Sequence, residues 1–125
     1  YSFLDIPYFG DPATAPDKHR LDVYMQDGAF PREKQRVVIF CHGGSWARGG
    51  RRMSLAPQLL YGNIGRACAS AGMVGVVISY RLAPSVKHPE QVLDVARAVS
   101  WVHANIARYG GRQDDIVLMG HSAGA

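Results

Sequence analysis

"IVLMGHSAGA", Ile116 to Ala125, is the stretch whose reading decides the fold. Its first four residues are a short continuous apolar run, the pattern of a strand covered on both faces. Gly120-His121-Ser122-Ala123-Gly124 follows at once and fits G-x-S-x-G, a sharp strand-to-helix turn that holds a serine hydroxyl out at the edge of a sheet. Small residues at both ends let the strand turn tightly and the next helix pack close. The pentapeptide recurs by chance in many chains, so its weight comes from its position, after a buried strand and before a helix-compatible Ser-Ala-Gly-Ala.

Working outward, two more apolar runs end in unusual loops. Val37 to Cys41, "VVIFC", opens into His42-Gly43-Gly44-Ser45-Trp46, and Val74 to Ser79, "VGVVIS", opens into Tyr80-Arg81-Leu82-Ala83-Pro84. Helix-like stretches lie between the runs. Gln58 to Ala71 contains Gly62 and Gly65, which weaken it. Pro89 to Ala107 is better formed: Val92, Val95, Val99, Val102 and Ile106 share one face, Pro89 suits the first turn, and Gly110-Gly111 follows the end. Strand, helix, strand, helix, strand predicts an α/β fold, a mostly parallel sheet with right-handed crossover helices. Ligands in such sheets bind outside the carboxyl ends of the strands, where all three loops fall. Ahead of these units, Leu21, Val23 and Met25 alternate with Asp22 and Tyr24 as in a half-buried strand. Asp27-Gly28 reads as a turn and Pro31 to Gln35 as a polar connector. Residues 1–18 carry Pro7, Gly10, Pro12 and Pro16 and are expected to be an irregular lead-in. No repeat or linker divides the chain, so residues 1–125 read as one domain. Tyr1 in place of Met, and a last residue where a helix should be starting, lead to the expectation that this domain is incomplete.

The chain has 125 residues, 47% of them apolar, enough for one core and unlike collagenous or low-complexity sequence. Fourteen Lys and Arg against ten Asp and Glu give +4, but apart from Arg48, Arg51 and Arg52 the basic residues are scattered, which argues against nucleic acid. That arginine cluster is expected in a solvated loop. Cys41 and Cys68 lack C-x-x-C spacing and read as buried free thiols, leaning towards a reducing, cytoplasmic compartment. No run approaches the eighteen apolar residues of a membrane span. The histidines and cysteines lack metal-ligand spacing, so neither metal nor cofactor is expected.

A serine hydroxyl is a poor nucleophile, so acyl transfer needs a base to take its proton and donors to hold the oxyanion. Ser122 is the candidate nucleophile, and the N–H of Ala123 points towards the oxyanion side of the turn. The consecutive glycines of "HGGSW" let backbone N–H groups approach a ligand with no side chain in the way. Taken in order, "HGGSW", "YRLAP" and "GHSAG" resemble the amino-terminal half of an α/β-hydrolase. More narrowly, they are similar to the carboxylesterase branch that includes hormone-sensitive lipase-like esterases and kynurenine formamidase. Hormone-sensitive lipase-like enzymes usually show a third glycine where Ser45 stands here, and "HPEQVLDVARAVSWV" sits closer to the formamidase-like and short-chain carboxylesterase members.

The resemblance implies roles. Ser122 would be the nucleophile; Ala123 with Gly43, Gly44 and Ser45 would supply the oxyanion hole, Gly44 and Ser45 being favoured among the loop amides. His42 would orient the loop, and Trp46 would line the acyl pocket or simply pack. Removing one oxyanion donor typically costs about 2.7 to 4 kcal/mol of transition-state stabilisation. In this fold the acid and then the base follow the serine, and only Ala123 to Ala125 follow here. His19, His42, His88, His103 and His121 are therefore read as structural or solvated, and residues 1–125 alone are expected to be nearly inactive. Arg81 is expected to brace the loop behind the site, and Asp94 with Arg97 to pair on a helix surface. The expected substrate is a small ester or arylformamide; the alternatives are a non-catalytic ligand-binding relative and an inactive truncated product.

Overall fold

The computed structural model describes residues 1–10, 17–26, 33–52 and 61–125. The turn at Asp27-Gly28, Pro12 and Pro16 of the lead-in, the start of the connector at Pro31 and the start of the first helix-like stretch at Gln58 lie outside the described residues.

Five strands, β1 (Ser2–Pro7), β2 (Arg20–Tyr24), β3 (Gln35–Cys41), β4 (Val74–Ile78) and β5 (Gly111–Gly120), form one sheet in the order β1-β2-β4-β3-β5. Helix α1 (Gly62–Ser70) carries the chain from β3 to β4, and α2 (Glu90–Asn105) carries it from β4 to β5. β3 runs parallel to both β4 and β5, as the strand and helix alternation requires. The other half of the sheet is antiparallel, β1 to β2 and β2 to β4. The expected α/β architecture is therefore present with a mixed sheet, parallel only where a helix makes the crossover.

Alternation along the central strands sends side chains to two layers. Leu21, Val23, Val37, Ile39, Val74, Val76 and Ile78 meet Ala98 and Val102 of α2, and Ile106 of the 3-10 turn Ile106–Tyr109. Tyr24, Phe40 and Val77 meet Ala69 beneath α1, with Tyr61 and Ile64 beside them. Gly65 is a poor helix former, but a Cβ there would run into the ring of Tyr24, so the missing side chain lets α1 lie close on the sheet.

Three expectations change. Residues 1–18 are not wholly irregular, because Ser2–Pro7 pairs with β2 through a register shift between Phe3 and Ile6. An edge strand tolerates the proline at its end, which has no N–H to give. The face of α2 is only partly the predicted one: Val102 and Ile106 are buried and Val95 and Val99 pack against the core as expected, but Asp94 and Ala98 are buried beside them and Val92 is 57% exposed. An acidic side chain occupies the core line because arginines meet it there. Finally, Arg51 and Arg52 do not sit in a solvated loop. Arg51 is 3% exposed; its guanidinium donates to Asp22 Oδ1 at 3.2 Å, Asp17 Oδ1 at 2.9 Å, Ser79 Oγ at 3.1 Å and Asp5 Oδ1. Arg52 donates to Asp22 Oδ2 at 3.1 Å and to Asp5 Oδ2 at 3.2 Å. Asp22 is fully buried on β2, so its charge requires these partners. Arg48 is exposed.

Cys41 and Cys68 are free and buried, and burial pushes the Cys41 thiol up to about 11. Among the described residues no helix is long and apolar enough to cross a membrane.

Candidate active site

The site is built where β3 and β5 end side by side. Cys41 and Gly120 are register partners, and beyond them the N–H of His121 donates to the carbonyl of Cys41 at 3.2 Å. The chain then turns at Ser122 into the 3-10 turn Ser122–Gly124, closed by Gly124 N–H to His121 O at 2.9 Å and Ala125 N–H to Ser122 O at 3.0 Å. Ser122 has φ of 54°, a left-handed value that disfavours residues with a Cβ. Such a conformation persists only where its surroundings fix it. Gly124 does part of this, since a side chain there would strike the carbonyls of Cys41 and His42.

The loop after β3 lies directly against this turn. A Cβ on Gly43 would stand 2.9 Å from the His121 carbonyl oxygen and 3.2 Å from the Ser122 Cβ. Only glycine lets the two loops approach so closely. Gly44, Ser45 and Trp46 all have positive φ, 127°, 54° and 58°. The Gly44 carbonyl accepts from Ala47 N–H at 3.1 Å and Arg48 N–H at 2.9 Å, and the Trp46 carbonyl accepts from Ala83 N–H at 2.7 Å. Among the described residues no acceptor meets the N–H of Gly43, Gly44, Ser45 or Ala123. Such donors suit a developing negative charge.

His42 is fully buried beneath the loop. Its ring stacks on Tyr80 with centroids 4.4 Å apart, and Nδ1 donates to the Gly43 carbonyl at 2.7 Å. Burial pulls its pKa below the ordinary imidazole value, and Nδ1 carries the proton that the Gly43 carbonyl accepts. That role is consistent with orienting the loop. The Tyr80 hydroxyl donates to the His42 carbonyl at 2.6 Å, and burial pushes that hydroxyl up to about 12. Trp46 is 56% exposed and lines a mainly apolar groove of about 590 Å³ with Ala83, Pro84, Val86 and Val92. The groove gives Trp46 a lining role, whereas its exposure leaves little packing.

His88 and His103 are exposed, and His121 is tied into the turn by its backbone. His19 is buried with Nε2 3.1 Å from Asp94 Oδ1, an ion-pair distance without hydrogen-bond alignment. Asp94 is the residue that sequence reasoning misplaced: it is fully buried rather than on a helix surface. Its carboxylate accepts the Arg81 N–H at 3.0 Å, Arg81 Nε at 2.8 Å and Nη2 at 2.9 Å, and Arg97 Nη1 at 2.8 Å. Arg81 also donates to Glu90 at 2.6 Å, so it braces the loop as expected. Burial pushes the Asp94 carboxyl up, but the Arg81 hydrogen bonds and the charges of His19 and Arg81 more than offset this and hold it below the ordinary value. A spacing of four through residues 94, 98, 102 and 106 was the available signal. Among the described residues no group of three His, Cys, Asp or Glu could hold a metal ion.

Comparison with known proteins gives a consistent picture. The BD-FAE family matches residues 21–125. Esterase LipQ of Mycobacterium tuberculosis (strain ATCC 25618 / H37Rv) is 33% identical over 121 residues, 97% of this chain and 26% of that protein. Esterase LipC of the same organism is 35% identical over 117 residues, 94% of this chain and 26% of that protein. Among solved structures, esterase B from Lactobacillus rhamnosis superposes with a TM-score of 0.76 at 26% identity, covering 99% of this chain and 36% of that one. The chain spans about a quarter of the length of the curated relatives it matches.

Proposed function

The chain belongs to the BD-FAE family of α/β-hydrolases, and on that premise we propose that the gene product carrying it hydrolyses small carboxylic esters through an acyl-enzyme on Ser122. The observation that carries the reading is the junction of two strained loops: Ser122, at φ of 54°, lies against the Gly43 backbone, beside a loop whose amides have no acceptor among the described residues. The Ser122 hydroxyl loses its proton to a base as Oγ bonds to the ester carbonyl carbon. The carbonyl oxygen becomes an oxyanion held by the Ala123 N–H and the N–H groups of Gly44 and Ser45. Collapse expels the alcohol, which takes the proton back from the base. Water then repeats the sequence on the acyl-enzyme and releases the acid. His42 is read as loop support rather than as that base, since it is buried beneath the loop, stacked on Tyr80, and in this fold the base follows the serine in sequence. The reading assigns the base and its orienting acid to the part of the relatives' length that residues 1–125 do not span. Ester rather than formamide is the substrate class it favours, supported by the esterase relatives above.

The test is hydrolysis of p-nitrophenyl acetate and butyrate by the gene product, with covalent capture of the serine by a fluorophosphonate read by mass spectrometry. Ser122→Ala is expected to lose both capture and turnover, the latter by roughly 10⁶-fold as in other serine hydrolases stripped of the nucleophile. Residues 1–125 alone are expected to show only a small fraction of the full rate. A Ser122→Ala protein that retained the parent rate would overturn the reading and leave a ligand-binding relative.

A further inference from the structure

We propose that Asp94 is a positioning residue for the oxyanion loop, acting through Arg81; this rests on the reading of Ser122 as nucleophile. The argument starts from strain. Ser45 and Trp46 hold φ near +55°, a conformation unfavourable for a residue with a Cβ, so the loop needs support from outside itself. Within the loop, the Gly44 carbonyl closes the turn with Ala47 and Arg48. Beyond the loop, segment 80–83 grips it at both ends. The Tyr80 hydroxyl holds the His42 carbonyl at 2.6 Å and the Ala83 N–H holds the Trp46 carbonyl at 2.7 Å, so the two contacts bracket Gly43 to Ser45.

What fixes segment 80–83 is Asp94. Its carboxylate takes the backbone N–H of Arg81 together with Nε and Nη2 of the same residue, so both main chain and side chain of Arg81 are pinned. A fully buried carboxylate with a planar bidentate partner has one low-energy arrangement. The route therefore runs from the core of α2 through Arg81 to Tyr80 and Ala83, and from these to the amides around the oxyanion. Arg97 meets the same carboxylate but lies on α2 itself, with its guanidinium 4.2 Å from the centre of the Phe9 ring, away from this route. It provides the internal control.

The experiment compares Asp94→Asn, Arg81→Lys and Arg97→Met with the parent gene product, with rates counted per fluorophosphonate-titrated serine so that unfolded protein drops out. Asp94→Asn and Arg81→Lys are expected to lower kcat roughly 10- to 100-fold with KM within about twofold. They should also weaken a boronic acid, whose tetrahedral adduct on Ser122 puts an anionic oxygen among the loop amides, by a similar factor. Arg97→Met is expected to keep kcat and boronate affinity even if it unfolds at lower urea. Unchanged kcat per titrated serine in Asp94→Asn or Arg81→Lys, or an equal kcat loss in Arg97→Met, overturns the route. A kcat loss with boronate affinity intact overturns it as well. Retained turnover in Ser122→Ala identifies failure of the underlying reading instead.

Discussion

Ser122 illustrates how far a single residue can be read from sequence. The pentapeptide requires small neighbours and a turn, and the structure supplies both, with a backbone that disfavours any side chain at the serine itself. That conformation has a thermodynamic signature. Ser122→Gly is expected to raise the unfolding free energy by about 1 kcal/mol while abolishing fluorophosphonate capture, since glycine adopts positive φ without the Cβ penalty. Urea unfolding of the two proteins measures it, and a destabilised glycine variant would contradict the strain argument. Gly43 and His42 stood out in the sequence as well, and the structure brings the Gly43 backbone against Ser122 and buries His42 beneath the loop. Asp22, Arg51 and Asp94 were not legible in the same way. Each is explained by a partner on another element, 29 positions away between Asp22 and Arg51 and 13 between Arg81 and Asp94, and a single sequence does not reveal which distant charges meet.

At the scale of elements, the periodic and continuous apolar segments were read well and the irregular ones poorly. The predicted helix from Pro89 to Ala107 is observed as Glu90–Asn105 followed by a 3-10 turn, because Gly110 at φ of 76° ends it. Its buried face was read in part: Val95, Val99, Val102 and Ile106 pack on the core, but an Asp–Arg hub takes a position that periodicity reserves for an apolar side chain. β1 was missed because its proline and glycine neighbours look like loop chemistry, whereas pairing to β2 is what orders it. The charged links between elements predict the acid limb of stability. Burial raises the Asp5 and Asp94 carboxyls, yet hydrogen bonds from Arg51 and Arg81 respectively leave both below the ordinary 3.8. A carboxyl with a depressed folded pKa contributes stability that is present above the unfolded value and disappears as pH falls through the folded one. Unfolding free energy is therefore expected to change little from these groups between pH 7 and about 5, and to fall steadily below about 4. Asp94→Asn should flatten that fall, with Asp5 adding little because its side chain is half exposed. An acid limb as steep in the variant as in the parent would count against Asp94 as its source.

For the molecule as a whole, the parallel direction of β3, β4 and β5 follows from the alternation of apolar runs and helices, while the strand order was not readable and the antiparallel half depended on a segment whose pattern was too short to read. β5 pairs with β3 along one side only among the described residues, and Val117, Leu118 and Met119 are 43%, 54% and 39% exposed across both faces. An apolar strand in that condition templates association. The 125-residue chain prepared alone is expected to self-associate as its concentration rises, and Leu118→Lys to suppress this, by sedimentation velocity over a concentration series. A parent chain that stayed monomeric throughout would sink the expectation. The placement of Ser122 carries one more consequence, for the order in which the molecule is made. All pairings among β1, β2, β3 and β4 lie within residues 2–78, and the Ala83 tether to Trp46 is complete only five residues later. Gly120 and Cys41, by contrast, join parts of the chain that leave the ribosome 79 residues apart. As synthesis proceeds from the amino end, four strands and the glycine loop are available to assemble before the serine has been translated. Ser122 then arrives only after the glycine loop it will lie against has been made.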